Sequence, residues 1–303
     1  LHPALPSCNL PLPAALSGER RAITRLAGPL SYYVAGDGPP LLLVHSLNAA
    51  ASAYEMRPIY EHLKAGRRVY AVDLPGFGFS DRSPRPYVLP LYVDAVQDML
   101  DEIAADVGPV PVDVAALSLG AEFAARVAVR SPERFRTLAL ITPTGFDKRA
   151  ATSSGPDGAT REVPGLHAFL TFPLWTEALY GLLTRRGTIR YFLERTFGSK
   201  QIDEDMLDYD YATAHQPGAR HAPYAFVAGR LFGRNIRAVY ERLTLPVWVP
   251  HGTRGDFKDF SGTGWAEARD NWTFQPYESG ALPHFECTRA FMADYGIFLA
   301  SPF

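Results

Sequence analysis

A serine can attack an acyl carbon only if a neighbouring base takes its proton, and a histidine acting as that base needs a third group to fix its tautomer. One serine stands in a setting suited to this task. From Val112 to Leu117 a short apolar run passes through small residues into Ser118, and Leu119, Gly120 and Ala121 open a helical pattern. A tight strand-to-helix turn there would lift the hydroxyl above a sheet, with Ala116 and Gly120 small enough for strand and helix to approach closely. The short motif alone also fits a serine in an ordinary strand-helix turn. Two segments nearer the C-terminus lend it support. Leu245 to Val249 is an apolar strand opening into a glycine-containing loop that carries Asp256, and His284 lies in a Gly/Pro loop ahead of a helical stretch, Thr288 to Leu299. Ser118 is therefore the candidate nucleophile, His284 the candidate general base and Asp256 the candidate orienting acid.

The surrounding pattern supplies elements that could position these residues. Ile23 to Val34 suggests two short strands. Leu41 to Val44, Val69 to Val72, Val112 to Ala115, Leu138 to Ile141 and Val247 to Val249 are short continuous apolar runs, as expected of strands buried on both faces. Helical patterns over Ala53 to Lys64, Leu91 to Ala105 and Ala121 to Val129 lie between them, which predicts an α/β chain with a mostly parallel central sheet flanked by helices. The stretch 147–243 is too long for a loop and holds helical patterns at Trp175 to Leu183 and Ile189 to Phe197. It reads as a helical cap inserted into a core formed by 1–146 and 244–303. Aromatics such as Phe169, Phe172, Trp175, Tyr180, Tyr191 and Phe192 are expected mainly in the cap's own small core, with some left to line a pocket. Ala151 to Thr160 reads as a mobile loop.

The 303 residues are 47% hydrophobic, and 30 Lys and Arg against 32 Asp and Glu give a formal charge of -2. That balance offers no basic face for a phosphate backbone, so nucleic acid is not an expected partner. Cys8 and Cys287, near opposite ends of the chain, make neither a disulfide framework nor a thiolate metal site. The histidines lack metal-site spacing, so neither metal nor cofactor is expected. No apolar stretch reaches the roughly 18–20 residues of a membrane span, and a cytoplasmic location is the default expectation, a leader removed before Leu1 remaining open.

Beyond the elbow and the two downstream loops, Leu41 to Asn48 reads LLLVHSLN and Val72 to Asp81 reads VDLPGFGFSD. Together, in this order, these segments resemble the α/β-hydrolase family, specifically its capped serine esterase and epoxide-hydrolase-like branch, over nearly the whole chain from about Leu30. The resemblance implies the α/β-hydrolase fold and an oxyanion hole made by the backbone N–H groups of Leu47 and Leu119. Ser46 stands where the family usually has glycine, and Asn48 is expected to add a donor or to cap the following helix. Family loops often read HGxxD, whereas this one carries an extra residue, so Asp259 and Asp147 stay open beside Asp256 as the acid. Asp73 and Asp81 are expected to brace their own loop, Glu122 to make structural hydrogen bonds, and His45 and His251 to be structural.

A serine rather than an aspartate at the elbow implies acyl transfer through an acyl-enzyme. The expected function is hydrolysis of small to medium apolar carboxylic esters. The same residues would also serve a carbon-carbon bond hydrolase, a cofactor-free perhydrolase or an acyltransferase, and a non-catalytic ligand-binding relative is the alternative from another class.

Overall fold

The computed structural model describes residues 11–148 and 153–301. The continuous apolar runs become β3 (Pro40–Val44), β4 (Arg68–Asp73), β5 (Val112–Leu117), β6 (Phe135–Ile141) and β7 (Val247–Gly252). With β1 (Glu19–Arg25), β2 (Gly28–Ala35) and β8 (Trp272–Tyr277) they form one sheet in the order β1-β2-β4-β3-β5-β6-β7-β8. The pairs β1–β2 and β2–β4 are antiparallel, and every pair from β4–β3 to β7–β8 is parallel. The mostly parallel sheet is as the apolar runs predict. β8 is not among the expected strands, because its sequence WTFQPY carries only a short, mixed pattern. It lies at the sheet edge, where Pro276 can be accommodated.

Alternation along the central strands divides the interior between the two faces. Leu42, Val44, Val114 and Ala116 join a core that includes residues of α2 (Leu89–Val107) and α3 (Gly120–Arg130). Leu41, Leu43, Ala115 and Leu117 point the other way, into a core shared with the turn Ala53–Met56, α1 (Arg57–Leu63) and the C-terminal helix Thr288–Ala300. Gly120 lets α3 begin directly against β3, since a Cβ at this position would collide with the His45 carbonyl oxygen.

Between β6 and β7 the chain leaves the sheet and forms α4 (Leu166–Leu170), α5 (Thr176–Leu183), α6 (Arg186–Phe197), α7 (Glu204–Ala214), α8 (His221–Val227) and α9 (Ile236–Tyr240). Leu170, Tyr180, Ala219 and Tyr224 make a small core of their own. The expected role of the aromatics needs correction in part. Phe169, Phe172, Tyr191 and Phe192 are about half exposed, forming small surface contacts, Phe169 and Phe172 against Trp175 and Tyr191 against Phe192. Phe226 and Phe232 pack instead against the main core. After β7 come α10 (Gly264–Glu267), α11 (Pro283–Glu286) and α12, the C-terminal helix.

Cys8 and part of the loop expected at Ala151 to Thr160 lie outside the described residues, and Cys287 is a free, partly buried thiol. Among the described residues no helix is long and apolar enough to cross a membrane, and no group of three or more His, Cys, Asp or Glu could hold a metal ion.

An alanine replacing a helical glycine ordinarily stabilises, by roughly 0.5–1 kcal/mol. At Gly120 the sign should reverse, because the added methyl meets a backbone carbonyl that cannot swing aside. Gly120→Ala should lose about 1–3 kcal/mol in urea unfolding, the usual range for overpacking; a neutral or stabilised variant would contradict so close a β3–α3 contact.

Candidate active site

Ser118 connects β5 to α3 with φ of +52°, in the left-handed region that non-glycine residues enter at a cost of about 1–3 kcal/mol. The sheet enforces it: Ser118 N–H donates to the Ile141 carbonyl at 2.9 Å, so the turn stays attached to the end of β6. Thr142, directly after β6, is also left-handed at φ of +42° and donates its N–H to Pro250 O at 2.8 Å. Its buried hydroxyl has no hydrogen-bond partner among the described residues. Strain is thus concentrated at the carboxyl ends of adjacent parallel strands, where open α/β sheets place their ligands.

The loop after β3 runs alongside, since Val44 pairs with Ala116. His45 is fully buried, with Nε2 accepting from Leu74 N–H at 2.9 Å and Nδ1 donating to Ser46 O at 2.5 Å. Burial pulls its pKa down to about 4, with the Ser46 carbonyl opposing, so the ring is neutral and structural. The backbone N–H groups of Leu47 and Leu119 meet no acceptor among the described residues, although both residues are buried. Two buried, unpaired donors are costly unless a ligand satisfies them.

Ser46 and Asn48 both turn to Glu55. Ser46 N–H and Oγ donate to its carboxyl at 2.8 and 2.9 Å, and Asn48 Nδ2 does so at 2.8 Å. Asn48 Oδ1 accepts from Ala50 N–H at 2.7 Å, closing its own turn, while Ser52 caps the helical turn beyond it. The loop is therefore secured by a carboxyl from the next element. Sequence reasoning missed Glu55, because an acidic residue in the first turn of a helix is ordinarily a partner of the helix dipole.

His284, also fully buried, lies on α11 after β8. Its loop is held by Ala281 N–H to Thr196 O at 2.7 Å, Gly280 N–H to the Glu286 carboxylate at 2.6 Å and Arg254 N–H to Ser279 O at 2.9 Å. The ring's Nε2 lies 2.7 Å from the carbonyl oxygen of Glu55. A carbonyl only accepts, so Nε2 carries the hydrogen and the basic lone pair is on Nδ1. Nδ1 is buried and has no partner among the described residues. Burial brings the imidazole to about pKa 4 against the opposing pull of the Glu55 carbonyl, so above that pH its lone pair is free to accept a proton. No hydrogen bond joins His284 to Ser118 among the described residues.

The expectation that Asp256 orients His284 is not met in this arrangement. Asp256 is exposed, its carboxylate pairs with Arg195 of α6 at 2.5 Å, and its N–H points to Arg195 O at 3.5 Å. Gly255, left-handed at φ of +74°, packs against the end of α6, where a Cβ would meet Arg195 O and Gly198. Asp259 is exposed as well and bonds Ser261 and the Lys148 N–H. The bracing residues stand where expected. Asp73 accepts from Ala53 and Phe79 N–H groups, both at 3.0 Å, and Asp81 holds Ser83. Glu122 accepts from Thr144 Oγ1 at 2.7 Å and Gly233 N–H at 3.0 Å, tying α3 to the end of the inserted segment.

A sequence signature described as the alpha/beta hydrolase fold matches residues 39–223, more than half of the chain. The protein belongs to the α/β-hydrolase family. It is 28% identical over 216 residues to the pimeloyl-[acyl-carrier protein] methyl ester esterase of Aeromonas salmonicida, covering 71% of this chain and 76% of the relative. It is 32% identical over 112 residues to the 2-hydroxymuconate semialdehyde hydrolase of Pseudomonas sp. strain CF600, a match spanning 36% of this chain and only 38% of that relative's length. A probable hydrolytic enzyme from Pseudomonas aeruginosa superposes with a TM-score of 0.74 at 19% identity, covering 97% of this chain and 98% of that one. The fold is shared with it.

A carboxylate bonded to a catalytic histidine is worth about 10⁴-fold in turnover. With Asp256 engaged by Arg195 instead, Asp256→Asn should reduce hydrolytic turnover by less than about tenfold and, as an exposed ion pair, cost no more than about 1 kcal/mol of stability. A loss of several orders of magnitude in steady-state kinetics would mean that Asp256 leaves Arg195 and reaches the imidazole during turnover.

Proposed function

We propose that the protein is a serine hydrolase that cleaves carboxylic esters of small to medium apolar substrates through an acyl-enzyme at Ser118. The observation that carries this reading is the strained, left-handed Ser118 at the end of β5, next to the loop after β3, with the N–H groups of Leu119 and Leu47 meeting no acceptor among the described residues. In the first half-reaction Ser118 Oγ bonds to the acyl carbon while its proton passes to His284. The oxyanion is stabilised by the two N–H groups, and collapse expels the alcohol with the proton from His284. Water then attacks the acyl-enzyme, gives its proton to the same imidazole, and collapse releases the acid and restores the serine.

Proton transfer requires Ser118 Oγ to come within hydrogen-bond reach of the imidazole, a contact that commonly tightens only when substrate binds. The segment 147–243 serves in this reading as a cap that shapes the acyl pocket. The Aeromonas relative, named as a methyl ester esterase, supports the choice of an ester bond.

The test is p-nitrophenyl ester hydrolysis together with mass spectrometry after treatment with a serine-directed fluorophosphonate. Wild-type protein should turn over and gain a single adduct at Ser118, and Ser118→Ala and His284→Ala should each lose at least about 10³-fold in kcat. Full activity in Ser118→Ala would overturn the proposal. Absence of both adduct and turnover would favour a ligand-binding role for the same pocket.

A further inference from the structure

Glu55 touches both halves of the acyl site with different atoms. Its carboxyl gathers the Ser46 N–H, the Ser46 hydroxyl and the Asn48 amide, all within 2.9 Å, and its backbone carbonyl holds His284 Nε2 at 2.7 Å. Ser46 immediately precedes Leu47, so these bonds orient the peptide whose neighbour presents the candidate oxyanion donor. We infer that Glu55 is a positioning residue for acyl transfer at Ser118, fixing the oxyanion loop through its side chain and the tautomer of His284 through its main chain. The inference rests on the serine-hydrolase reading and deepens it.

The surroundings of Glu55 also give its ionisation a consequence. The turn Ala53–Met56 packs against β3, β4, α1 and α7. Asp73 from β4 bonds the Ala53 N–H, Arg57 from α1 is engaged with the Tyr54 hydroxyl, and Tyr209 of α7 stacks on Tyr54. Beside it on α7, Asp210 is buried, with Oδ1 lacking a partner among the described residues; burial first, then the charges of Glu55 and of Asp203, which caps that helix, disfavour its ionised form. His284 completes the set. No cation pairs with Glu55 among the described residues. Burial, countered by the bonds from Ser46 and Asn48, pushes its carboxyl up to about 7.

A neutral Glu55 leaves no formal charge beside the oxyanion donors. Once ionised, it sets a buried negative charge one residue from Leu47, where negative charge must also develop in the transition state. Turnover should then fall as pH rises through about 7, with its acid limit near 4, where His284 becomes protonated.

The experiment compares wild type, Glu55→Gln and Glu55→Ala for p-nitrophenyl butyrate turnover from about pH 5 to about pH 9, with active sites counted by fluorophosphonate adduct and folding checked by thermal melting. Glu55→Ala should lose about 10²-fold in kcat with KM changed less than about threefold, the signature of a transition-state interaction. Glu55→Gln, nearly the same shape, should recover to within about tenfold of wild type and lack the decline near neutrality. If wild type is labelled and active but both variants match its kcat per labelled site, or if the decline persists in Glu55→Gln, the assignment of Glu55 is overturned while the serine-hydrolase reading stands. If wild type is neither labelled nor active, that reading itself fails, and the role of Glu55 with it.

Discussion

The left-handed backbone of Ser118 is the constraint around which the rest of the structure is arranged. A non-glycine residue stays there only if its neighbours leave it no better choice, and they do so from several directions. Ile141 receives its N–H, and Gly120 lets the following helix begin against His45. The parallel register carries the loop after β3 to the same end of the sheet. Strain is held by a rigid scaffold, which is how functional sites keep conformations that an isolated peptide would abandon.

Three buried carboxyl groups near this point are held by hydrogen bonds from uncharged donors, whereas Asp113, farther back on β5, is paired with Arg67 and Arg136. Asp73 accepts two backbone N–H groups, Glu122 a hydroxyl and an N–H, and Glu55 three donors from the loop after β3. Such bonding offsets much of the desolvation cost of a polar group while avoiding the desolvation of a second ion. It also couples elements far apart in sequence. Glu122 joins α3 to the inserted segment, and Glu55 joins the loop after β3 to the His284 imidazole. The exposed Arg195–Asp256 pair is of a different kind, with both groups close to solvent.

Much of this is legible in the residues. The strands buried on both faces announce themselves as continuous apolar runs, and Ser118 stands in a strand-turn-helix setting with few neighbours larger than alanine or leucine. β8 is hidden because its pattern is short and mixed and contains a proline, tolerable only at an edge that topology alone defines. Asp256 is suggested by its position after a strand, but its carboxylate is taken by Arg195, some sixty positions earlier, on a helix whose docking no local pattern specifies. Glu55 escapes notice for a related reason. Its importance comes partly from a contact made by its main chain, and a backbone carbonyl leaves no mark in the side-chain alphabet.

The end of α6 also carries a consequence for how this architecture can change. Its last turn presents carbonyl groups that have no partner within the helix. Those of Arg195 and Thr196 face the N–H groups of Asp256 and Ala281, one from each of the loops after β7 and β8. Here the inserted segment is fastened to the loops after β7 and β8 partly by main-chain atoms, indifferent to side-chain identity. At this helix end the side chains can change in sequence without loss of these two main-chain contacts, while elsewhere the segment is tied by side chains such as Glu122, Arg82 and Tyr209. A graft from another relative would have to bring the same terminus with it or leave two loops without their anchors.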